Sequence, residues 1–148
     1  MISSIRHAGI VVRDLDRSLE FYSGMLGLEL YRRHTETAGE FIDDLVGIQG
    51  VTLEWAKLII PSGGLIELLQ YHSHPDPHGV EAPEPAPSNR LGCSHVALTV
   101  DDLEELHKTL TENGYAFKSA PLTSPDGKVR IAYCHDPDGV ILELIEDL

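Results

Sequence analysis

Two histidines and two glutamates occupy matching places in two stretches of this chain. His7 stands seven residues before Asp14, with Leu15 next, and His95 stands seven residues before Asp102, with Leu103 next. Gly63 precedes Glu67 by four residues in GGLIELL, and Gly139 precedes Glu143 by four in GVILELI. Each glutamate sits in an otherwise apolar run, where an ionised carboxylate is costly unless it is paired, bound to a metal or turned toward water. In a strand with one solvated face, period-2 alternation provides the last of these. The repetition points to the second. Two neutral imidazoles and two carboxylates suit a borderline or hard divalent ion, whose charge the carboxylates neutralise. His7, Glu67, His95 and Glu143 are therefore the candidate metal ligands. An octahedral ion with four protein ligands keeps two positions for neighbouring oxygens of a substrate. Such chelation polarises a carbonyl and stabilises the enolate or enediolate left when the adjacent C–H loses its proton. Glu143 or Glu67 is the candidate catalytic base.

The elements that must position these residues recur in the same order. ISSIRHAGIVV has the pattern of a strand, and DLDRSLEFYSGMLG that of a helix capped by Asp14 and ending near Gly27. Leu15, Leu19, Tyr22 and Leu26 mark its apolar face. LELYRRH, VTLEWAKLII and GLIELLQYH follow as strands, the last two joined by the turn PSGG. In the second half CSHVALTV is a strand and DDLEELHKTLTENG a capped helix ending at Gly114; YAFK, KVRIAYCHD and GVILELIED are strands, with DPDG as a turn. The expected fold is α+β: two tandem βαβββ modules, residues 1–72 and 92–148, forming a curved mixed sheet with a concave metal-binding face and the helices outside. A Pro-rich linker over 73–91 joins them within one structural domain.

Composition limits the partners. A chain of 148 residues, 42% hydrophobic, is the size of one domain or of two small modules sharing a core. A formal net charge of -13 argues against nucleic acid or an anionic membrane as partner. The first residues lack the pattern of a secretory signal, and no apolar run approaches the roughly 20 residues that span a bilayer. Cys93 and Cys134 cannot build a disulfide framework and are expected to be reduced core residues of a cytoplasmic protein.

HAGIVVRDLDRSLEFYSGMLGLEL, GLIELLQ, SHVALTVDDLEEL and HDPDGVILELIE resemble the vicinal oxygen chelate superfamily, which includes glyoxalase I, methylmalonyl-CoA epimerase, extradiol dioxygenases, fosfomycin resistance proteins and bleomycin-binding proteins. The resemblance spans nearly the whole chain and places the family's four metal positions on His7, Glu67, His95 and Glu143. It implies a lyase or isomerase of the glyoxalase I or epimerase type. The cofactor would be one divalent ion (nickel, cobalt, zinc, manganese or magnesium), the substrate a small molecule with vicinal oxygens, and the assembly a homodimer. Where glyoxalase I carries an arginine for the carboxylate of glutathione, four residues after the histidine, this chain has Val11, which argues against glutathione. Where the epimerase carries a further histidine before its second-module ligand, this chain has Ser94. Glu54, in QGVTLEWAKL, is a possible second base on the epimerase pattern, or a residue on a solvated face. The alternative within the family is an extradiol-type dioxygenase using ferrous iron, favoured by Tyr133 ten residues before Glu143, where those enzymes carry a catalytic tyrosine. The alternative outside catalysis is a small-molecule (drug) binding protein.

The two halves differ in one place. His7 and Glu67 are 60 residues apart and His95 and Glu143 are 48 apart, so the first half carries 12 more, around RHTETAGEFIDDLVGIQG. That segment is expected to form a short helix or lid that shapes the pocket. HSHPDPH, residues 72–78, contains three histidines but has no fixed geometry for a metal. His34, His107 and His135 are expected at the surface or in turns, and Tyr133 is most simply an ordinary strand aromatic.

Overall fold

The computed structural model describes residues 2–77 and 86–148. The chain divides into two compact units, Met1–Ala82 and Pro83–Leu148. The 78–85 part of the Pro-rich linker lies outside the described residues, as does His78 of the HSHPDPH tract.

The first unit runs β1 (Ala8–Val11), α1 (Leu15–Leu19), β2 (Glu29–Glu36), α2 (Glu40–Val46), β3 (Leu53–Ile59) and β4 (Leu65–Tyr71). Its four strands form one mixed sheet in the order β1-β4-β3-β2, parallel between β1 and β4 and antiparallel elsewhere. The second unit runs β5 (His95–Thr99), α3 (Leu103–Glu112), β6 (Leu122–Thr123), β7 (Val129–His135) and β8 (Ile141–Asp147), in a sheet of order β5-β8-β7-β6. The expected α+β class and the two modules are both present, each with its own four-stranded sheet.

Helices α1 and α3 begin where the sequence places their caps. The carboxylate of Asp14 accepts a hydrogen bond from the Arg17 amide and that of Asp102 from the Glu105 amide, satisfying donors that the first turn leaves without partners. The apolar face of the first helix differs from expectation. Beyond Leu19 the chain widens into π-helical turns over Glu20–Met25, and the buried residues are Leu15, Ser18, Phe21 and Tyr22, while Leu19 and Leu26 are half-buried. Wider turns shift the inward face along the sequence. Adjacent Phe21 and Tyr22 both turn inward, their rings edge to face at 5.1 Å.

Strand alternation then separates a core face from a second face. In β4, Ile66 and Leu68 are fully buried opposite Leu58 and Ala56 of β3, and α1 packs against both strands. In β8, Leu142 and Leu144 are fully buried opposite Cys134 and Ala132 of β7, and α3 packs there. Glu67 and Glu143 fall between these pairs and therefore face the other way.

The turns that set this register match between units. Gly63 adopts φ 107° and Gly139 φ 83°, conformations open to glycine at little cost. The Gly63 amide donates to the Ile60 carbonyl at 2.9 Å and the Gly139 amide to the Asp136 carbonyl at 3.0 Å.

Three expectations are corrected. The stretch expected as the first strand is extended only over Ala8–Val11, so His7 lies just before it. YAFK does not form a strand; Phe117 makes an isolated bridge to Cys134, and the short edge strand is Leu122–Thr123. Cys93 is exposed, and only Cys134 is a core residue. Both thiols are free, and burial pushes that of Cys134 up to about 12. No helix among the described residues is long and apolar enough to cross a membrane.

Candidate metal centre

The two His–Glu pairs form by the same construction. Gly9 pairs with Glu67 across the parallel β1–β4 ladder, and Ala97 pairs with Glu143 across β5–β8. Each histidine lies two residues before that partner, so alternation turns it to the glutamate's face. His7 Nε2 is 3.0 Å from Glu67 Oε2, and His95 Nε2 is 3.1 Å from Glu143 Oε2. In both pairs the glutamate is the more buried member, at 14% and 19% side-chain exposure against 34% and 33% for the histidines. Ligands at right angles around an ion with bonds of ~2.1 Å lie about 3 Å apart, so the donor atoms and spacing in each pair suit a divalent ion. Each unit brings together half of the expected set. Among the described residues, no group of three or more His, Cys, Asp or Glu is assembled as a metal cage.

Two neighbours have contacts that the sequence did not reveal. The first is Lys57, the register partner of Glu67, whose Nζ lies 3.2 Å from Glu67 Oε1 and 4.5 Å from the centre of the Trp55 ring. Lys57 stands ten residues before Glu67, as Tyr133 does before Glu143, and that equal spacing was the available signal. The second is Ser94, whose hydroxyl lies 2.8 Å from His95 Nδ1. A partner on Nδ1 orients the ring and directs Nε2 toward Glu143. Arg6 occupies the corresponding place before His7.

Tyr133 stands beside the second pair. It is the register partner of Glu143, and its ring centre is 5.4 Å from that of His95. Glu54 lies elsewhere. It pairs with Gln70 on the core-side face and accepts from Arg33 Nε at 2.5 Å, while His72 Nε2 lies 3.1 Å away. Arg33 also pairs with Asp16 on α1. The Arg33 hydrogen bond holds the Glu54 carboxyl below its usual range. Glu54 thus ties the sheet to the helix and does not face Glu67.

The extra segment of the first half forms α2. Ile42 packs with Val51 and Leu53, and Trp55, Leu69 and Tyr71 adjoin them. Trp55, Leu69 and Tyr71 share the face of Glu67, so α2 covers one end of that face. Asp43 anchors the loop after it by accepting from the amides of Gly50 at 2.8 Å and Val51 at 3.1 Å. Of the histidines expected at the surface, His135 is instead buried, at 5% exposure, because β7 ends beneath the segment that carries Ala116.

Residues 4–144 match the model of the glyoxalase/bleomycin resistance protein/dioxygenase superfamily. The chain belongs to this superfamily. It is 32% identical over 140 residues to a probable lactoylglutathione lyase of Synechocystis, covering 95% of this chain and 92% of the relative. It is 30% identical over 143 residues to a probable lactoylglutathione lyase of Vibrio cholerae, covering 97% and 90%. A glyoxalase family protein of Bacillus cereus superposes with a TM-score of 0.87 at 27% identity, covering all of this chain and 96% of the other. Both halves of this glyoxalase-superfamily chain thus keep a His–Glu pair, and they differ in what stands beside it.

Proposed function

We propose that the protein is a divalent-metal-dependent lyase or isomerase of the glyoxalase I-like type, with His7, Glu67, His95 and Glu143 acting on one ion. The observation that carries this reading is the doubled His–Glu contact, built on equivalent registers in both units. A bound divalent ion would polarise the carbonyl of a substrate held through two neighbouring oxygens and ease loss of the adjacent proton.

The chain's own residues divide the remaining work. His7 and His95 offer Nε2, and the Ser94 hydroxyl holds the second imidazole in orientation. Glu143 is the general base: Tyr133 stands where Lys57 stands beside Glu67, so no ammonium at that position ion-pairs with the carboxylate that takes the substrate's proton. Glu67 is the first unit's carboxylate ligand to the ion, and the Lys57 ammonium lies 3.2 Å from its other oxygen. Val11 follows His7 by four residues and is exposed, which leaves this position without a cation for a glutathione carboxylate.

Elemental analysis of chelator-free protein tests the reading. About one equivalent of nickel, cobalt, zinc, manganese or magnesium is expected, lost in His95→Ala and reduced in Glu67→Gln. Solvent deuterium should enter the carbon next to the substrate carbonyl in wild type and not in Glu143→Gln. Metal content unchanged by both ligand substitutions would refute the assignment.

The position of Tyr133 beside His95 and opposite Glu143 favours a second reading, an extradiol-type dioxygenase with ferrous iron. That reading requires oxygen uptake with a catechol and its loss in Tyr133→Phe.

A further inference from the structure

We propose that Lys57 and Arg32 form an anion-binding subsite beside the chelating pair His7–Glu67, so that the substrate carries an anionic group, such as a carboxylate, next to its vicinal oxygens. This rests on the metal-dependent reading above and adds the charge of the substrate to it.

The Lys57 ammonium contacts Glu67, yet holding that carboxylate is not what it is needed for. Glu143 has Tyr133 in the equivalent position and keeps the same distance to its histidine, 3.1 Å against 3.0 Å. The neighbouring strand adds a second cation. A bulge between Leu30 and Arg32 in β2 brings Arg32, rather than Tyr31, opposite Lys57. Bulges re-aim side chains in this way. The Arg32 guanidinium carbon is 5.6 Å from the centre of the Trp55 ring and Lys57 Nζ is 4.5 Å from it, so both cations lie against one indole. Like charges directly opposite each other across an antiparallel ladder disfavour the pairing. Among the described residues Arg32 has no carboxylate partner to offset this, and the chain as a whole is strongly acidic, with 24 Asp and Glu against 11 Lys and Arg.

Charge balance gives the same direction. Two carboxylates would neutralise a divalent ion; around the Trp55 ring Lys57 and Arg32 then outnumber Glu36, which accepts from the indole Nε1, and this local surplus is matched to an anion rather than to a neutral ligand. The cation–π contacts of both heads with Trp55 limit the freedom lost on binding.

The test uses the full chain loaded with cobalt(II), whose visible absorption reports ligand binding without turnover. Oxalate carries two anionic oxygens beyond a chelating pair; acetohydroxamate chelates through two oxygens and carries a methyl group instead. Lys57→Met should weaken oxalate about tenfold, the loss expected for one charge-assisted hydrogen bond, while acetohydroxamate binding and metal content stay unchanged. Arg32→Gln should act in the same direction, and Lys57→Arg should retain most of the oxalate affinity. Equal weakening of both ligands, or loss of cobalt in Lys57→Met, would show that Lys57 only supports Glu67 and would overturn the proposal. An unchanged oxalate affinity would overturn it as well. Wild-type protein that takes up no metal would refute the metal-dependent reading itself, and with it this one.

Discussion

Replacing Ser94 by alanine should weaken metal binding at little cost to the fold. The hydroxyl lies 2.8 Å from His95 Nδ1 on a half-buried residue. With Nε2 engaged by an ion, Nδ1 carries the proton and donates it to Ser94 Oγ. Removing the acceptor costs one neutral hydrogen bond, about 1 kcal/mol net. It also frees the ring to leave the orientation that directs Nε2 at Glu143. Loss of such an outer partner weakens metal affinity by roughly 10- to 100-fold. Because water reaches this site and replaces part of the lost bond, the lower figure, about tenfold, is expected. Competition against a chromophoric chelator at fixed pH measures it, beside His95→Ala, in which the ligand itself is gone. The unfolding free energy of Ser94→Ala should fall by no more than about 1 kcal/mol, the single hydrogen bond lost. An affinity within twofold of wild type would refute the role given to the hydroxyl. A loss as large as that of His95→Ala would show that His95 is no longer a ligand at all, which one hydrogen bond cannot explain.

Three further outcomes follow from the packing. Leu144→Ala removes a fully buried β8 side chain on the core face of the second unit and should cost about 2–5 kcal/mol, seen as a lower urea midpoint at unchanged slope. Burial of His135 favours its neutral form and lowers its affinity for protons below the ordinary value of about 6.5. Its contribution is therefore complete above that pH and is lost as the pH falls below it; the urea midpoint of wild type should drop more between pH 7.5 and 5 than that of His135→Gln, and equal drops would refute this. Ellman's reagent should titrate one thiol in the native chain, exposed Cys93, and two in denaturant, since burial raises the Cys134 thiol to about 12 and closes it off.

The helix caps and most of the strands were legible in sequence because each rests on local rules, and the His and Glu positions because the chain repeats them. Asp14 and Asp102 bond amides three residues away, and alternation alone decides that Glu67 and Glu143 face away from Leu68 and Leu144. What escaped depends on longer or subtler spacing. The π-helical turns moved the buried face from Leu19 to Phe21, a shift that a 3.6-residue period does not register. YAFK has strand composition, but only Phe117 bridges to β7, and Leu122–Thr123 takes the edge. Glu54 and Glu67 both alternate within strands, yet only the antiparallel pairing of β3 with β4 shows that Glu54 meets Gln70 on one face while Glu67 meets Lys57 on the other.

Internal duplication makes the differences between the halves more informative than the likenesses. The His–Glu pair is built twice with the same spacing, so its neighbours can be compared as if one were a substitution of the other. At the register position opposite the glutamate the first half has Lys57 and the second has Tyr133. Before the histidine the first half has Arg6 and the second has Ser94. Cationic side chains thus accompany the first pair, and neutral hydroxyl groups accompany the second. On the proposed reading the ligand set is symmetric, and these neighbours are what distinguish its two glutamates. The first pair then stands beside cations and the second carries the base. Exchanging the two neighbours, Lys57→Tyr with Tyr133→Lys, should therefore shift base function toward Glu67, so that Glu67→Gln rather than Glu143→Gln abolishes solvent deuterium exchange in the exchanged background.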